Sequence, residues 1–220
     1  MRRDREPVTV EQISAAHRAR RGEIRARLRE FEEVWLTADD ARLWEEMVYC
    51  IFTAGASARM GLGSVEAVRP LLARGTQREL AGALVGRHRY PNSRSGYIVV
   101  TREYLEGDCG MRLRERLEGF RDPFERRDWL ARSRGVKGLG YKESSNFLRN
   151  VGLRGYAILD KHILRCLAEV GVIESPQPPT TRTRYLATEA RLRDFARDVR
   201  IDFDELDLVL WSMKTGEILK

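Results

Sequence analysis

Cysteine is scarce in this sequence and is not arranged to hold a metal. The 220 residues include three cysteines, Cys50, Cys109 and Cys166, which lie far apart. No CxxC pair or other metal-ligand spacing is present, so we expect neither an iron–sulfur cluster nor a structural zinc site. Reduced and mostly buried thiols, as in proteins of the cytoplasm, are the expectation.

Long apolar runs are missing as well. No segment approaches the roughly 20 apolar residues of a membrane-spanning helix. The N-terminal MRRDREPVTVEQ lacks the apolar core of a secretory signal. Hydrophobic residues make up 42% of the chain, a fraction that suits a folded globular protein. We therefore expect a soluble, intracellular protein of the cytoplasm.

Lysine is the third rarity. The chain has 40 basic residues against 33 acidic ones, and five of the 40 are lysines, which leaves 35 arginines (40 minus 5). All five lie beyond residue 136, at Lys137, Lys142, Lys161, Lys214 and Lys220. Lysine can lose its proton and act as an amine nucleophile, whereas arginine cannot. This placement favours a chemical role for the region, with chance clustering as the alternative.

The net charge of +7 is a mild signal for a polyanionic partner, with a solvated surface as the alternative.

Apolar residues recur at helical spacing nearly throughout, which predicts an all-α fold. The one segment with strand-like composition, residues 97–101, fits a helical stripe better. Helix starts are predicted where a capping residue precedes an apolar stripe, at Thr9 with Gln12, Asp39 or Asp40, Thr76 with Glu79, Asp122 with Glu125, Asp160, and Asp202 with Glu205. Further helices are predicted from about Ser64 to Ala73, Ser93 to Leu105, Met111 to Glu118 and Arg182 to Val199.

A Gly-Leu-Gly turn over 138–140 joins a helix that ends near Arg134 to a helix predicted over Tyr141–Asn150. Glycines let a bulky anion approach the backbone, and the free N–H groups of a helix start bind phosphate. We predict a helix-hairpin-helix that holds a nucleic-acid phosphate through Gly138 and Gly140, with Lys137 beside them. An ordinary tight turn between two helices is the alternative.

Lys142 opens the second hairpin helix, and Asp160 opens the next one. The positive end of the helix dipole disfavours an ammonium at Lys142, so we expect an amine able to form a Schiff base; a phosphate contact without chemistry is the alternative. Asp160 is predicted to cap its helix as an ionised carboxylate, which can stabilise a developing sugar cation. Lys161 and His162 follow it and either hold another phosphate or face solvent.

The segments GLGYKESSNFLRN and AILDKHILR, with the ending DLVLWSMKTGEILK, resemble the archaeal-type 8-oxoguanine DNA glycosylase/AP lyases of the helix-hairpin-helix superfamily. The resemblance spans essentially the whole chain. It implies a bifunctional DNA repair enzyme in which Lys142 attacks C1′ of the damaged nucleoside, expels 8-oxoguanine and forms a Schiff base that undergoes β-elimination. By the same resemblance Asp160 stabilises the sugar cation and assists proton transfers.

The resemblance also implies a base pocket in the C-terminal segment. Its residues are Asp207 on the polar edge of the base, Trp211 stacked on the flipped base, and the terminal Lys220. With Leu208, Trp211 also fits a core stripe. The residues expected to contact DNA phosphates are Lys137, Gly138, Gly140, Lys161, His162, Arg89, Asn92 and Arg94. Gly55 stands where this family is expected to carry an asparagine, so no opposite-base contact is assigned there.

We expect two helical lobes with the active site in the cleft between them. One is a helical barrel over residues 40–150 that ends in the hairpin, and the other combines residues 1–39 with 151–220. The expected partner is double-stranded DNA containing 8-oxoguanine, bound by a monomer without a membrane. No cofactor is expected to be required, and a monovalent cation at the hairpin is left open. Activity on another damaged base and a DNA-binding module without catalysis are the alternatives.

Overall fold

A computed structural model describes residues 7–218, and every regular element in that range is a helix, as predicted. None of the described helices is long and apolar enough to cross a membrane. The elements are α1 (Val10–Thr37), α2 (Asp40–Thr53), α3 (Ala58–Val68), a 3-10 turn (Arg69–Leu71), α4 (Gln77–Leu84), α5 (Pro91–Cys109), α6 (Leu113–Glu118), α7 (Pro123–Arg132), α8 (Tyr141–Asn150), α9 (Lys161–Glu169), α10 (Arg182–Asp198) and α11 (Phe203–Thr215).

Side-chain caps begin the helices at most of the predicted places. The Thr9 hydroxyl accepts the amide of Gln12 at 3.3 Å, and the Gln12 side chain accepts the amide of Thr9 at 3.0 Å. Thr76 and Glu79 form a full capping box at the start of α4. Because a capped N-terminus satisfies amides that have no partner within the helix, these short polar residues set the helix boundaries. Residues 97–101 lie within α5, so the helical interpretation of that segment is confirmed.

Two helices begin earlier than predicted, and one predicted capping box is absent. α3 begins at Ala58 rather than Ser64, because Ser57 accepts the amide of Met60 and caps the helix earlier. α5 begins at Pro91 rather than Ser93, since proline at the first helical position needs no amide partner. At α7, Asp122 accepts the amide of Phe124 instead of forming the expected capping box with Glu125.

The described chain divides into two compact units. The first, which we call the terminal unit, comprises residues 7–32 and 152–218, and the second, the central unit, comprises residues 33–151. The boundaries expected from the sequence were residues 40 and 151. α1 crosses the first boundary, while α2 to α8 lie in the central unit and α9 to α11 in the terminal unit.

The central unit is built around α2. Leu43, Met47, Ile51 and Phe52 of this helix are all fully buried, and even Glu46 has no exposed surface. α2 packs against α3, α5, α6 and α8. A helix that is apolar on nearly every side needs such a complete shell, because each buried side chain gains about 1.5–3 kcal/mol from leaving water. The hairpin helix α8 is part of that shell.

α11 forms the core of the terminal unit and packs against α9 and α10. Its first turn is held to α1 through Glu205, which is buried. One carboxylate oxygen accepts from His17 Nε2 at 2.6 Å and the other from Arg25 Nε at 2.6 Å. Burial acts to raise the pKa of Glu205, but the hydrogen bonds from His17 and Arg25 outweigh it and hold that pKa below the ordinary value.

This lowered pKa makes the stability of the protein depend on pH. Because the folded pKa lies below the unfolded one, the contribution of Glu205 is complete above an ordinary glutamate pKa of about 4.3 and is lost as the pH falls through the folded value. We predict that Glu205→Gln lowers the free energy of unfolding at pH 7 by about 1–3 kcal/mol. The variant should also lose less stability than the wild type between pH 5 and pH 3.

Urea unfolding across that pH range measures both effects. Glu23→Gln is the matched control, because Glu23 pairs with Arg20 at 3.2 Å on the exposed side of α1 and should change little. Parallel pH profiles for Glu205→Gln and the wild type would show that Glu205 does not link α1 to α11 in this way.

Candidate active site

The turn between α7 and α8 has the backbone that its glycines predict. Gly138 has φ of +81°, a conformation that side chains with a Cβ rarely adopt. A Cβ added there would lie 2.8 Å from Tyr97 Cδ2, so the turn also packs too closely for a larger residue. The amide of Lys137 donates to Thr101 Oγ1 at 2.9 Å. Together these contacts attach the turn to α5.

The amides that follow are left open. Among the described residues, those of Gly138, Leu139 and Gly140 have no acceptor, and Gly140 begins α8 without a side-chain cap. Three consecutive free donors at a helix N-terminus form a site for an anion. Lys137 is exposed beside them. The arrangement fits the predicted phosphate contact through Gly138 and Gly140.

Lys142 lies in the first turn of α8, with its side chain one-third exposed. Its Nζ is 2.8 Å from Oε1 of Glu143, whose side chain is 14% exposed. Glu143 was not predicted as a site residue, although an acidic residue next to the candidate nucleophile is visible in the sequence. The carboxylate and the amine therefore form a close ion pair in the first turn of α8.

α7 and α2 hold α8 in place from two sides. On α7, Asp128 accepts the Tyr141 hydroxyl at 2.9 Å, and the fully buried Arg127 donates to Ser145 Oγ at 3.3 Å. At the other end of α8, Asn150 donates to the buried Glu46 of α2 at 2.9 Å. These polar contacts are buried or partly buried, so they restrict how α8 can slide or rotate. The backbone of Lys142 is fixed with them.

In the terminal unit, Asp160 is the N-cap of α9, as predicted. Its Oδ1 accepts the amides of His162 and Ile163, both at 2.8 Å. Oδ2 has no partner among the described residues, and the residue is half-buried. One oxygen is therefore structural, and the other is available to a ligand.

Buried acidic side chains hold the loop that leads to Asp160. Asp204 accepts the amide of Gly155 at 3.0 Å, Glu189 that of Ala157 at 3.1 Å, and Asp207 that of Ile158 at 3.3 Å. The Tyr185 hydroxyl donates to the Ala157 carbonyl at 2.7 Å and accepts the amide of Leu159 at 3.3 Å. A buried loop without regular structure needs such acceptors, and these come from α10 and α11.

The predicted base-pocket residues have different surroundings. Asp207 is buried and holds the Ile158 amide, a role that was not predicted. Trp211 is half-buried on α11, with no hydrogen bond to its indole nitrogen among the described residues. Lys220 lies outside the described residues. Trp211 is thus the predicted pocket residue with a surface that a ligand can reach.

The predicted phosphate contacts of α9 differ in charge. Lys161 is exposed at the first position of the helix. His162 is half-buried; burial lowers its pKa below the ordinary value, and the neighbouring Lys161 and Lys214 add to this, while Asp160 opposes it. At neutral pH the imidazole is mainly uncharged. Lys161 is therefore the stronger of the two candidates for an anion.

The turn before α5 is an organised basic segment. Buried His88 accepts the Tyr90 amide on Nδ1 at 3.0 Å and donates from Nε2 to the Phe52 carbonyl at 3.0 Å. Arg94 donates to the Ala54 carbonyl and lies 5.8 Å from the centre of the Tyr90 ring. Arg89 and Asn92 are exposed. Three of the predicted phosphate contacts lie in this segment. Arg94 already donates a hydrogen bond within the protein, while Arg89 and Asn92 face solvent.

This is a helix-hairpin-helix protein. Its hairpin has open amides with a lysine beside them, an arrangement that can bind the phosphates of a nucleic-acid backbone. Residues 24–201 match the family model described as 8-oxoguanine DNA glycosylase, and the chain belongs to that family. The resemblance inferred from the hairpin, Asp160 and C-terminal segments is thereby confirmed.

Known relatives are similar over most of their length. A protein of Korarchaeum cryptofilum named 8-oxoguanine DNA glycosylase/AP lyase is 39% identical over 198 residues, which cover 90% of each chain. The crystal structure of the Methanocaldococcus jannaschii 8-oxoguanine glycosylase/lyase with 15mer DNA containing 8-oxoguanine has a TM-score of 0.87 at 31% identity, covering 96% of this chain and 99% of that one. The 8-oxoguanine DNA glycosylase of Thermotoga maritima has a TM-score of 0.85 at 32% identity, with 96% and 98% covered.

The hairpin geometry predicts that Gly138→Ala is destabilising. A residue with a Cβ at this φ costs about 1–2 kcal/mol, and the contact with Tyr97 adds to that cost. We expect a lower melting temperature and weaker binding to duplex DNA. Gly107→Ala, at an exposed glycine of α5 with no atom within 4 Å of its added Cβ, is the control and should be neutral or stabilising. Equal melting temperatures for the two variants would contradict the close packing described for the turn.

Proposed function

We propose that this chain removes 8-oxoguanine from DNA and cleaves the resulting abasic site, as the names of its relatives describe for them. The observation that carries the proposal is the partly exposed amine of Lys142 in the first turn of α8, directly after the open hairpin amides. A phosphate held by those amides brings a nucleic-acid backbone to the helix that bears the nucleophile.

The strand is held through phosphates in this proposal. The candidates are the open amides at 138–140 and the exposed side chains of Lys137, Lys161, Arg89 and Asn92. A base inside a duplex must leave the stack before its sugar can be attacked, at a cost of a few kcal/mol. Contacts to phosphates offset that cost. Because they are the same for every base sequence, the protein binds DNA without sequence preference. We further propose that a monomer acts on double-stranded DNA.

Lys142 is the proposed nucleophile. Its neutral amine attacks C1′ of the damaged nucleoside, the bond from C1′ to N9 breaks, and its electron pair leaves with the base. Opening of the sugar ring then converts the aminal into a protonated Schiff base. Loss of the 2′ proton eliminates the 3′ phosphate and cleaves the strand. The chemistry needs no cofactor, because the Schiff base itself serves as the electron sink.

Asp160 is the proposed electrostatic partner. Positive charge develops on C1′ and the ring oxygen as the base departs, and an ionised carboxylate stabilises it. Two amides cap onto Oδ1, and Oδ2 remains for the sugar. The structural role and the catalytic role therefore use different oxygens of the same side chain.

Recognition of the base is assigned to the C-terminal helix and tail. The exposed part of Trp211 offers a stacking surface for a flipped base. 8-Oxoguanine carries an N7–H donor that guanine lacks, so an acceptor placed for it stays unpaired against guanine, which discriminates strongly. Because Asp207 already accepts the Ile158 amide, a contact with the base would be an additional hydrogen bond to the same carboxylate. Lys220 keeps the role predicted from the sequence.

Borohydride trapping tests the nucleophile. With a duplex containing 8-oxoguanine, the wild type should give a covalent protein–DNA adduct, and Lys142→Gln should give none, because the amide cannot form a Schiff base. Lys137→Gln, five residues earlier in the hairpin, is the matched control and should form the adduct while binding duplex DNA more weakly. An adduct that persists in Lys142→Gln would assign the chemistry to another amine. Binding without an adduct in the wild type would favour a module without catalysis.

Asp160→Asn separates the two roles of the carboxylate. Asparagine is a good N-cap, so the melting temperature should change little. Removal of the charge should lower the single-turnover rate of base excision by about 10²–10³-fold. Asp122→Asn, the same change at the N-cap of α7, is the control and should keep the wild-type rate. A rate for Asp160→Asn within threefold of the wild type would contradict the electrostatic role.

A further inference from the structure

The contact between Lys142 and Glu143 assigns a role to Glu143. We propose that Glu143 is the proton acceptor for Lys142 and returns that proton to the departing base. This inference rests on the proposed function of Lys142. It starts from the distance of 2.8 Å between Nζ and Oε1, which is hydrogen-bonding distance to the reacting atom.

Adjacent residues of a helix do not normally face each other, so the pairing itself is informative. Glu143 is the third residue of α8, the position from which a glutamate usually reaches back to the N-cap amide. Here it pairs instead with Lys142, while its Oε2 lies 3.4 Å from the position that a Cβ of Gly140 would occupy. The carboxylate thus lies close to both the hairpin glycine and the amine.

Two other carboxylates on the helices that pack against α8 are engaged elsewhere. Asp128 of α7 accepts from Tyr141, and Glu46 of α2 accepts from Asn150 and from Arg42. Arg127 of α7 is a further charged group directed at α8, and it donates to Ser145. Among the described residues, Glu143 is the acceptor bonded to Nζ of Lys142.

The proton balance of the reaction suits a single carboxylate. The ammonium of Lys142 gives one proton to Oε1 of Glu143, which becomes a neutral carboxyl group, and the free amine forms the bond to C1′. The base leaves with the electron pair of the C1′–N9 bond and takes the proton from Glu143. One of the two protons on the aminal nitrogen moves to O4′ as the bond between C1′ and O4′ breaks, and the other stays on the nitrogen. The products are a protonated Schiff base, a neutral free base and a Glu143 carboxylate.

A simple counter-ion would behave in the opposite way. If Glu143 only held Nζ of Lys142 as a counter-ion, its removal would release the amine and accelerate the attack. If it accepts and returns the proton, its removal slows the attack even though the amine has lost its counter-ion. The two roles therefore predict changes of opposite sign.

Single-turnover borohydride trapping of Glu143→Gln on a duplex with 8-oxoguanine measures that sign. We expect a rate about 100-fold below the wild type, together with equal or tighter binding to the duplex, because a negative charge near the phosphates has been removed. Glu143→Asp keeps a carboxylate at a longer distance and should recover part of the rate. Glu125→Gln, the same change at the third position of α7 on an exposed side chain, should leave the rate unchanged.

The outcomes separate this inference from the proposed function. A Glu143→Gln rate equal to or above that of the wild type overturns the role of Glu143 and leaves Lys142 as the nucleophile. No adduct in the wild type overturns both. Proton transfer is also contradicted if Glu143→Gln loses rate and melting temperature in parallel and a stably folded Glu143→Asp recovers neither. The missing charge in the helix would then explain the loss.

Discussion

The rest of the structure depends on one constraint, that backbone amides outside regular helices need an acceptor. The terminal unit meets this requirement with side-chain acceptors, whereas the hairpin turn of the central unit leaves it unmet. In the terminal unit, the loop before Asp160 receives buried carboxylates from Asp204, Glu189 and Asp207. In the central unit, the amides over 138–140 receive no acceptor from the described residues. The first arrangement fixes the position of Asp160 within its unit, and the second keeps an anion site beside Lys142.

The same constraint explains why the two candidate catalytic residues are where they are. Lys142 and Asp160 each belong to the first turn or the cap of a helix, where amide groups lack partners within the helix. Asp160 satisfies two such amides with one oxygen and keeps the other. Lys142 follows amides that stay open and is balanced by Glu143. A helix start therefore supplies a charged side chain and a local field at the same point.

Much of the fold follows from patterns that act over short distances. Caps at Thr9, Thr76 and Asp160 are encoded by a polar residue and its near neighbours, and they were predictable for that reason. The roles of Asp207, Arg94 and Arg127 were not, because their partners Ile158, Ala54 and Ser145 are distant in sequence or lie on a different helix. Glu143 is next to Lys142 in the sequence, but their pairing depends on the orientation of both side chains in the first turn. Residue spacing does not specify that orientation.

Mapping of the trapped adduct shows directly whether Lys142 carries the chemistry. The wild-type protein is reduced with borohydride on a duplex containing 8-oxoguanine, digested with nuclease and trypsin, and analysed by mass spectrometry. Because trypsin does not cleave after a modified lysine, we expect to find the sugar remnant on Lys142, within the peptide spanning residues 138–149. A remnant on Lys137, Lys161, Lys214 or Lys220 would contradict it.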